Sequence, residues 1–367
     1  MPSDRPWCHD VRARSGVPGA LPSYAGPVTP DLPPVAAVGG LLATELLDVT
    51  HDLAALDGSG FWVTVLPFDG PPVLARFGRT RPMAGRPARA WVGAAADRWT
   101  SSLDRPAFES GVHTIRSAIA DGDVYQVNLT RRLSAPLRPD ADVLALGSAL
   151  AGGNPAPHAA VVRLPAQGVH VASASPERFL RRSGRLVESQ PIKGTASTAE
   201  GFLAKDRAEN VMIVDLVRND LGRVCEWGSV EVPALCAVEA HPGLVHLVST
   251  VRGRLRAEVG WGELLAATFP PGSVTGAPKL AALDMIGRLE PVPRGPYCGA
   301  IGWVDATAGT GDLNVAIRTF WFDEGAIHFG TGGGITWGSD PAGEWAETEL
   351  KARRLLAVAS APLAGVR

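Results

Sequence analysis

Two stretches of the sequence place carboxylates at helical spacing. Asp206 and Glu209 lie three residues apart, as do Glu344 and Glu347, and Lys351 follows one turn later. Residues at this spacing share one face of a helix. Magnesium takes oxygen ligands and often uses one or two protein carboxylates together with substrate oxygens. On spacing alone, the acids predict either two solvated helix faces or the walls of a metal site.

Two glycine-rich stretches could hold an anion. Residues 329–335 (FGTGGGI) lack the complete spacing of a nucleotide-binding fingerprint, and residues 269–279 (FPPGSVTGAPK) precede a helical stretch. Glycine lets a ligand approach the backbone closely, and successive N–H groups can bind an anion. Each stretch is therefore interpreted either as a structural turn or as a carboxylate-binding loop.

Glu177 and Lys193 combine an acid with a nucleophile. Glu177 follows a predicted strand, and Lys193 lies 16 residues later. Taken singly, a glutamate and a lysine are most often surface charges. Together they could supply general-acid catalysis and nucleophilic attack. Both interpretations stay open at this point.

The composition is that of a globular protein. The 367 residues are 46% hydrophobic and 20% charged, and the formal net charge is −2. This balance does not favour binding to nucleic acid or to an acidic membrane surface.

The cysteines and the apolar segments indicate a reduced, membrane-free environment. Cys8, Cys225, Cys236 and Cys298 form no C-x-x-C pair, so neither zinc nor a disulfide framework is expected. The sequence begins without a basic-then-apolar leader, and no apolar run is long enough to span a bilayer. The sequence therefore predicts a cytoplasmic protein.

Apolar periodicity predicts helices mixed with antiparallel strands. The predicted strands cover residues 60–66, 73–77, 125–133, 159–164 and 168–173, and an antiparallel meander covers 297–337. The predicted helices cover 108–120 and 203–221, and a last helix begins at 339–341. This mixture favours the α+β class over a doubly wound parallel sheet. The eight prolines of residues 1–40 predict a meandering arm without central strands.

Taken in order, these motifs resemble the chorismate-utilising enzyme family over residues 105–358. That family includes component I of anthranilate synthase and of aminodeoxychorismate synthase, isochorismate synthases and salicylate synthases. The matching segments are 123–129 (DVYQVNL), 175–179 (SPERF), 191–195 (PIKGT), 206–220 (DRAENVMIVDLVRND), 269–279, 297–302 (YCGAIG), 316–319 (AIRT) and 344–348 (EWAET).

The resemblance implies a fold and a domain organisation. The expected fold is an α+β (α/β) sandwich of two facing antiparallel β-sheets with helices packed outside. Residues 1–104 would form a short, poorly matched N-terminal part of the sandwich. Residues 105–362 would form the chorismate-binding catalytic region, in one compact domain with the first part.

The resemblance also implies a magnesium (Mg2+) ion that holds the ring carboxylate of chorismate. The implied metal ligands are Glu209, Glu344 and Glu347, with Asp206 in an outer or water-mediated position. Glu177 matches the acid that protonates the departing carbon-4 hydroxyl. The implied substrate-binding residues are Tyr297 and Arg318 at the enolpyruvyl carboxylate, Gly332, Gly334 and Lys351 at the ring carboxylate, and also Thr195, Thr275 and Gln126.

Two positions separate the branches of this family. The branches that add water to carbon 2 carry a general-base lysine where this chain has Gln126, and an amide cannot take a proton near neutral pH. Anthranilate synthases typically carry alanine where this chain has Lys193. The aminodeoxychorismate branch carries lysine there, proposed to attack carbon 2 before ammonia attacks carbon 4. Two departures stand beside these matches, Ala196 in place of a frequent arginine and Asn210 in place of a frequent histidine.

The resemblance therefore implies conversion of chorismate and ammonia to 4-amino-4-deoxychorismate, the precursor of para-aminobenzoate. No cysteine nucleophile elbow with a paired His-x-Glu occurs in the sequence, so a separate glutamine amidotransferase subunit is expected to supply the ammonia. The alternatives are the activity of anthranilate synthase component I and a non-catalytic chorismate-binding subunit. A pure binder would have no need for the acid Glu177.

Overall fold

The computed structural model describes residues 32–83, 90–196, 201–202, 204–241 and 244–360. Most of the N-terminal arm predicted over residues 1–40 lies outside these residues. In the described part of the chain, no helix is long and apolar enough to cross a membrane.

Strands and helices alternate along the described chain. The strands are β1 (Val35–Val38), β2 (Leu41–Thr50), β3 (Phe61–Leu66), β4 (Val73–Pro82), β5 (Thr100–Ser101), β6 (Gln126–Pro136), β7 (His158–Leu164), β8 (Val169–Ser175), β9 (Arg178–Ser183), β10 (Leu186–Gln190), β11 (Ile192–Ala196), β12 (Glu231–His241), β13 (Leu244–Arg254), β14 (Gly276–Ala277), β15 (Ala300–Asp305), β16 (Thr310–Val315), β17 (Thr319–Asp323) and β18 (Ala326–Ile335). The helices are α1 (Arg105–Ala120), α2 (Val143–Gly153), α3 (Ala204–Gly222), α4 (Trp261–Thr268), α5 (Lys279–Leu289) and α6 (Pro341–Ala359).

The strands form one antiparallel sheet with two halves. The first half follows the order β12, β13, β10, β9, β16, β15, β3, β4 and β2. The second half follows the order β7, β8, β17, β18 and β6. β1 joins the halves because it pairs with β2 on one side and with β7 on the other.

The two halves share a core. One cluster of buried side chains includes Val63 and Ile301 from the first half and Val162 and Val171 from the second. The α+β fold predicted from the sequence is confirmed. The halves of the sandwich are connected by hydrogen bonds through β1, so the two expected sheets are one continuous sheet.

The helices predicted from the sequence are present, although α1 begins three residues before the predicted residue 108. α1 buries Phe108, Val112 and Ile115 and is capped by Asp104, whose carboxylate accepts the N–H of Ala107 at 2.9 Å. α6 begins at Pro341 behind the capping residue Asp340, as the sequence predicted. α3 packs on β13 and β11. Capping fixes where α6 begins and therefore which of its residues reach the sheet.

The prediction of an arm without central strands is wrong at its end. Val35–Val38 forms β1, which lies between two other strands and is mostly buried. The prolines of the arm stop at Pro34, so each residue of β1 can donate to a neighbouring strand. β3 likewise pairs with β15, far along the chain. The domain boundary placed at residue 104 stays a prediction.

Candidate active site

Two connections between the halves of the sheet lie side by side. Glu177 lies between β8 and β9, and Arg318 lies between β16 and β17. Because β8 pairs with β17 and β9 with β16, both connections pass between the halves at the same place. Val315 N–H donates to the Glu177 carbonyl, and Ala174 N–H donates to the Arg318 carbonyl, each at 3.0 Å. The topology therefore fixes an acid and a cation in one region.

Glu177 is a buried acid with a raised pKa. Its side chain is 4% exposed. Burial raises the pKa to about 7, against the opposing effects of a hydrogen bond from Ser273, the positive charge of Lys193 and the N–H of Ile192. A carboxyl group that titrates near neutrality holds its proton for part of the time. It can therefore donate a proton to a leaving group and regain one later.

Lys193 lies on β11, opposite Leu247 of β13. The register shifts between Lys193 and Thr195, where Gly194 adopts the left-handed conformation with φ of +79°. A side chain at Gly194 would be strained there and would also press on Asp206, whose Cβ would lie 3.1 Å away. The irregularity brings the first turn of α3 against the strand that carries Lys193.

Gln126 faces the same place from β6. It is fully buried, and neither of its amide atoms has a hydrogen-bond partner in the described structure. A methyl group on Gly334 would collide with the Gln126 amide nitrogen and lie 3.2 Å from the Lys193 Nζ. The glycine at 334 therefore leaves space between the two side chains. A buried amide without partners is costly to leave unsatisfied, so a ligand that bonds to it would be favoured.

Carboxylates from α6 reach the neighbouring glycine. A methyl group on Gly333 would lie 3.1 Å from the Oε2 of Glu344, whose Oε1 accepts a hydrogen bond from Ser339 at 2.6 Å. Burial raises the pKa of Glu344, and the negative charges of Glu347 and Glu209 raise it further. The Ser339 hydrogen bond and Lys351 oppose this rise. Three carboxylates therefore lie close enough to repel one another.

Carboxylate oxygens are the ligands that a divalent cation such as magnesium prefers, but these side chains do not surround a common point. Lys351 pairs with Glu347 at 2.7 Å and donates to the Gly332 carbonyl at 2.9 Å. In the described ranges, no three acidic, histidine or cysteine side chains lie within reach of a single ion. To bind magnesium, Glu347 would give up its pairing with Lys351. The ion would then relieve the repulsion that raises the Glu344 pKa.

Arg318 is a cation without a carboxylate partner among the described residues. It adopts a φ of +52°, and burial lowers its pKa. A guanidinium group in this environment is stabilised by an anion. The backbone next to Tyr297 passes near this connection, because Cys298 N–H donates to the Ala316 carbonyl at 3.0 Å, but the charged side chains that act on the Tyr297 phenol are Arg294 and Glu290. Burial holds the Tyr297 pKa well above its usual value, so the phenol stays neutral and can donate a hydrogen bond.

For three predicted binding residues, the described contacts are with other parts of the fold and not with Lys193, Gln126 or Glu177. The ring of Tyr297 packs against Gly330, four residues or about 13 Å along β18 from Gly334. The Thr275 hydroxyl is buried and donates within its own loop, to the Pro271 carbonyl at 3.1 Å. The backbone of Thr195 pairs in β11, and its side chain lies outside the described part. The roles predicted for these residues stay predictions.

Sequence reasoning did not single out two residues that contact the predicted acids, nor Arg131, which contacts the helix that carries Glu344 and Glu347. Ser273 bonds to Glu177, Ser339 bonds to Glu344, and Arg131 donates to Thr348 on α6 at 2.9 Å. Ser273 lies in the proline-glycine loop and Ser339 in the capping segment of α6, so motif inspection reaches both segments. Their pairing with the two acids depends on contacts between distant parts of the chain.

The sequence and the fold both match known proteins. Residues 84–357 match the family model described as chorismate binding enzyme. The chain therefore belongs to the family of chorismate-binding enzymes.

Curated relatives carry two different names. The aminodeoxychorismate synthase of Streptomyces pristinaespiralis is 46% identical over 265 residues, 69% of this chain and 36% of the relative. Aminodeoxychorismate synthase component 1 of Klebsiella aerogenes is 42% identical over 270 residues, which are 70% of this chain and 59% of the relative. Anthranilate synthase component 1 of Streptomyces coelicolor is 42% identical over 287 residues, which are 74% of this chain and 55% of the relative. The matches thus span less than two thirds of each relative.

Solved structures share the fold at low identity. Anthranilate synthase component I from Streptococcus pneumoniae aligns with a TM-score of 0.72 at 23% identity, covering 94% of each chain. The menaquinone-specific isochorismate synthase from Escherichia coli aligns with a TM-score of 0.74 at 18% identity, over 93% of this chain and 92% of the other. These likenesses establish the fold, and they come from enzymes with different reactions.

Proposed function

We propose that the protein converts chorismate and ammonia to 4-amino-4-deoxychorismate. The observation that carries this proposal is the position of Lys193, whose Nζ lies across Gly334 from the Gln126 amide and within electrostatic reach of the buried acid Glu177. The names of the Streptomyces pristinaespiralis and Klebsiella aerogenes relatives support it. Gln126 offers no base for activating water at carbon 2, which disfavours hydration of chorismate.

The proposed chemistry has two displacement steps. The neutral amine of Lys193 forms a bond to carbon 2, while the carbon-4 hydroxyl takes the proton of Glu177 and leaves as water. Ammonia then forms a bond to carbon 4, and the lysine amine leaves carbon 2 with its electron pair. The Glu177 carboxylate recovers a proton from the new ammonium group. The pKa of about 7 suits both directions of this proton transfer.

Charged groups around the site would hold the two carboxylates of chorismate. Arg318 would bind the enolpyruvyl carboxylate, with the neutral phenol of Tyr297 as a second donor. The backbone of Gly332 and Gly334 and the ammonium group of Lys351 would lie near the ring carboxylate. Arg318 lacks a carboxylate partner in the described chain, so substrate binding would supply one.

We propose magnesium as the cofactor, held by Glu209, Glu344 and Glu347, with Asp206 in an outer position. When bound, the ion would neutralise the ring carboxylate of the substrate and polarise it. Lys351 would then be released from Glu347 to contact the same carboxylate. Asp206 and Glu344 lie in the first turns of α3 and α6, and Glu209 and Glu347 follow one turn later; α3 packs on β11 and β13, and α6 packs on β18.

A separate glutamine amidotransferase would supply the ammonia. The names of several relatives contain "component 1", which implies a second component in those proteins. We therefore propose an amidotransferase subunit as the partner of this chain. The cytoplasmic location predicted from the sequence stays a prediction.

The test is the identity of the product. We expect the purified chain, given chorismate, magnesium and ammonium, to form 4-amino-4-deoxychorismate, which an added lyase turns into para-aminobenzoate. Lys193→Ala should abolish this product because it removes the nucleophile. Lys193→Arg is the matched control, since it keeps the charge and also lacks a nucleophilic amine, so it should be equally inactive. Full activity of either variant would contradict the covalent role of Lys193.

Anthranilate formation is the second candidate, favoured by the similarity to the Streptomyces coelicolor relative. In that case the wild type would release anthranilate from the same mixture without the lyase. Lys193→Ala would then retain or increase anthranilate formation. Chromatography of both aromatic products in one assay separates the two proposals.

A further inference from the structure

A pocket lies behind Glu177, outside the group formed by Lys193, Gln126 and the metal acids. Its cavity volume is about 20 Å³, enough for a molecule of about the size of water or ammonia, and it lies between β9, β10, α3 and the proline-glycine loop. The lining residues that matter below are Ser189, Val217, Asp220, Thr268 and Ser273. The proposed binding of chorismate uses none of them.

Ser273 connects this pocket to the acid. Its side chain is 7% exposed, lines the pocket and donates a hydrogen bond to the Glu177 carboxylate. The inner end of the pocket therefore lies one side chain away from Glu177. In the proposed reaction, Glu177 protonates the group that leaves carbon 4. A small molecule that passed Ser273 would arrive beside that carbon.

The lining of the pocket contains a hydroxyl group that can form hydrogen bonds and an ion pair with no net charge. Ser189 is 5% exposed and lines the pocket, and no residue of the described chain bonds to its hydroxyl. Asp220 is paired with Lys279 at 2.8 Å, with side-chain exposures of 13% and 21%. This partly exposed pair brings the pocket near solvent, and its charges offset each other. Such a lining suits a small neutral molecule that both donates and accepts hydrogen bonds.

We propose that this pocket is the entry route and waiting site for ammonia. The inference rests on the proposed function, because it supplies that reaction's second substrate. Ammonia would enter as the neutral molecule, with ammonium releasing its proton to solvent outside. It would bond to the Ser189 hydroxyl and then pass Ser273 to reach carbon 4 from the side of Glu177. Chorismate, with two carboxylates, would stay on the side of Arg318 and Lys351.

The test uses the full chain with chorismate, magnesium and ammonium chloride. Val217→Phe fills the pocket from α3, and Ser189→Val removes the free hydroxyl while keeping a residue suited to a strand. We expect both to raise the KM for ammonium with little change in the KM for chorismate. Loss of one hydrogen bond predicts a rise of roughly threefold to tenfold for Ser189→Val. Val211→Phe is the matched control, because Val211 lies exposed on the same helix, outside the pocket.

The outcomes are distinct. An unchanged KM for ammonium in both pocket variants, with folding confirmed by circular dichroism, would overturn the ammonia route. A fall in kcat at saturating ammonium with unchanged KM would also overturn it, and would indicate a path for protons to Glu177. If the wild type formed anthranilate, the proposed function would fail, yet the same KM comparison would still decide the route. If the wild type formed no aminated product, both proposals would fail.

Discussion

At the residue scale, Glu177 combines a proposed catalytic role with a cost in stability. Its pKa is raised to about 7 because the folded chain buries it, so the folded state binds a proton more tightly than the unfolded state. Stability is therefore highest when the carboxyl group is protonated, and it falls as pH rises from the unfolded pKa through about 7. In the proposed reaction, the same raised pKa allows Glu177 to act as an acid near neutrality.

Glu177→Gln should therefore stabilise the free protein at alkaline pH. Glutamine resembles the protonated acid, so the free energy of unfolding at pH 8 should exceed that of the wild type by up to about 3 kcal/mol. At pH 4 the two proteins should be equally stable. Denaturant unfolding at both pH values measures this, with Glu263→Gln on the exposed face of α4 as the control. A variant that is less stable at pH 8 would contradict the burial of an ionised Glu177.

Ser273 should tune the same acid. Its hydrogen bond stabilises the ionised carboxylate and thus lowers the Glu177 pKa. Ser273→Ala should raise that pKa, so the fall in kcat with rising pH should move to higher pH. Ser273→Thr keeps the hydroxyl and should leave the profile unchanged. A shift of the alkaline limb to lower pH in Ser273→Ala would refute this assignment.

At the element scale, Arg131 of β6 is one of the residues that hold α6 against the sheet. The Arg131 side chain is 2% exposed and stacks 4.0 Å over the Trp345 ring. It donates to the Thr348 hydroxyl through two nitrogens at 3.0 and 2.9 Å and pairs with Glu349. Because Glu344 and Glu347 lie on this helix, the contact fixes the position of two proposed metal ligands.

Arg131→Ala should loosen that helix. Loss of the stacking and of two buried hydrogen bonds should lower the free energy of unfolding by about 2–4 kcal/mol. It should also raise the magnesium concentration needed for half-maximal activity, because the acids on α6 lose their fixed position. Denaturant unfolding and a magnesium titration measure the two effects. Glu349→Gln should cost less than about 1 kcal/mol, since Glu349 is half exposed.

Local elements could be predicted from the sequence, but contacts between them could not. The capped start of α6 and the apolar stripe of α3 could be predicted because caps and helical periodicity are local signals, whereas the cap of α1 at Asp104 was missed. β1 could not be predicted, because four apolar residues after a proline-rich stretch show neither a cap nor a periodic pattern. The approach of Lys193 to Gly334 joins distant strands, so only the resemblance to a family placed them in one site. The spacing of Glu347 and Lys351 is that of a helical ion pair, but it could not decide between that pair and a metal site.

At the scale of the whole molecule, β1 decides whether the two halves of the sheet act as one. Its residues pair on both sides, with Ala37 opposite Leu42 of β2 and Val161 of β7. The connections that carry Glu177 and Arg318 run between the same two halves. Separation of the halves at β1 would therefore change the positions of Glu177 and Arg318, where the substrate is proposed to bind.

Ala37→Pro should break this join. Proline cannot donate to either neighbouring strand and disfavours a central position, so the variant should lose roughly 2–3 kcal/mol of stability or more. Hydrogen exchange should show lower protection in β2 and in β7 together, because each loses its shared partner. Ala37→Ser, which keeps the backbone donor, should leave both strands protected. If exchange increased in β2 alone, β7 would be held by β8 without help from β1, and the continuous sheet would not be the unit that folds.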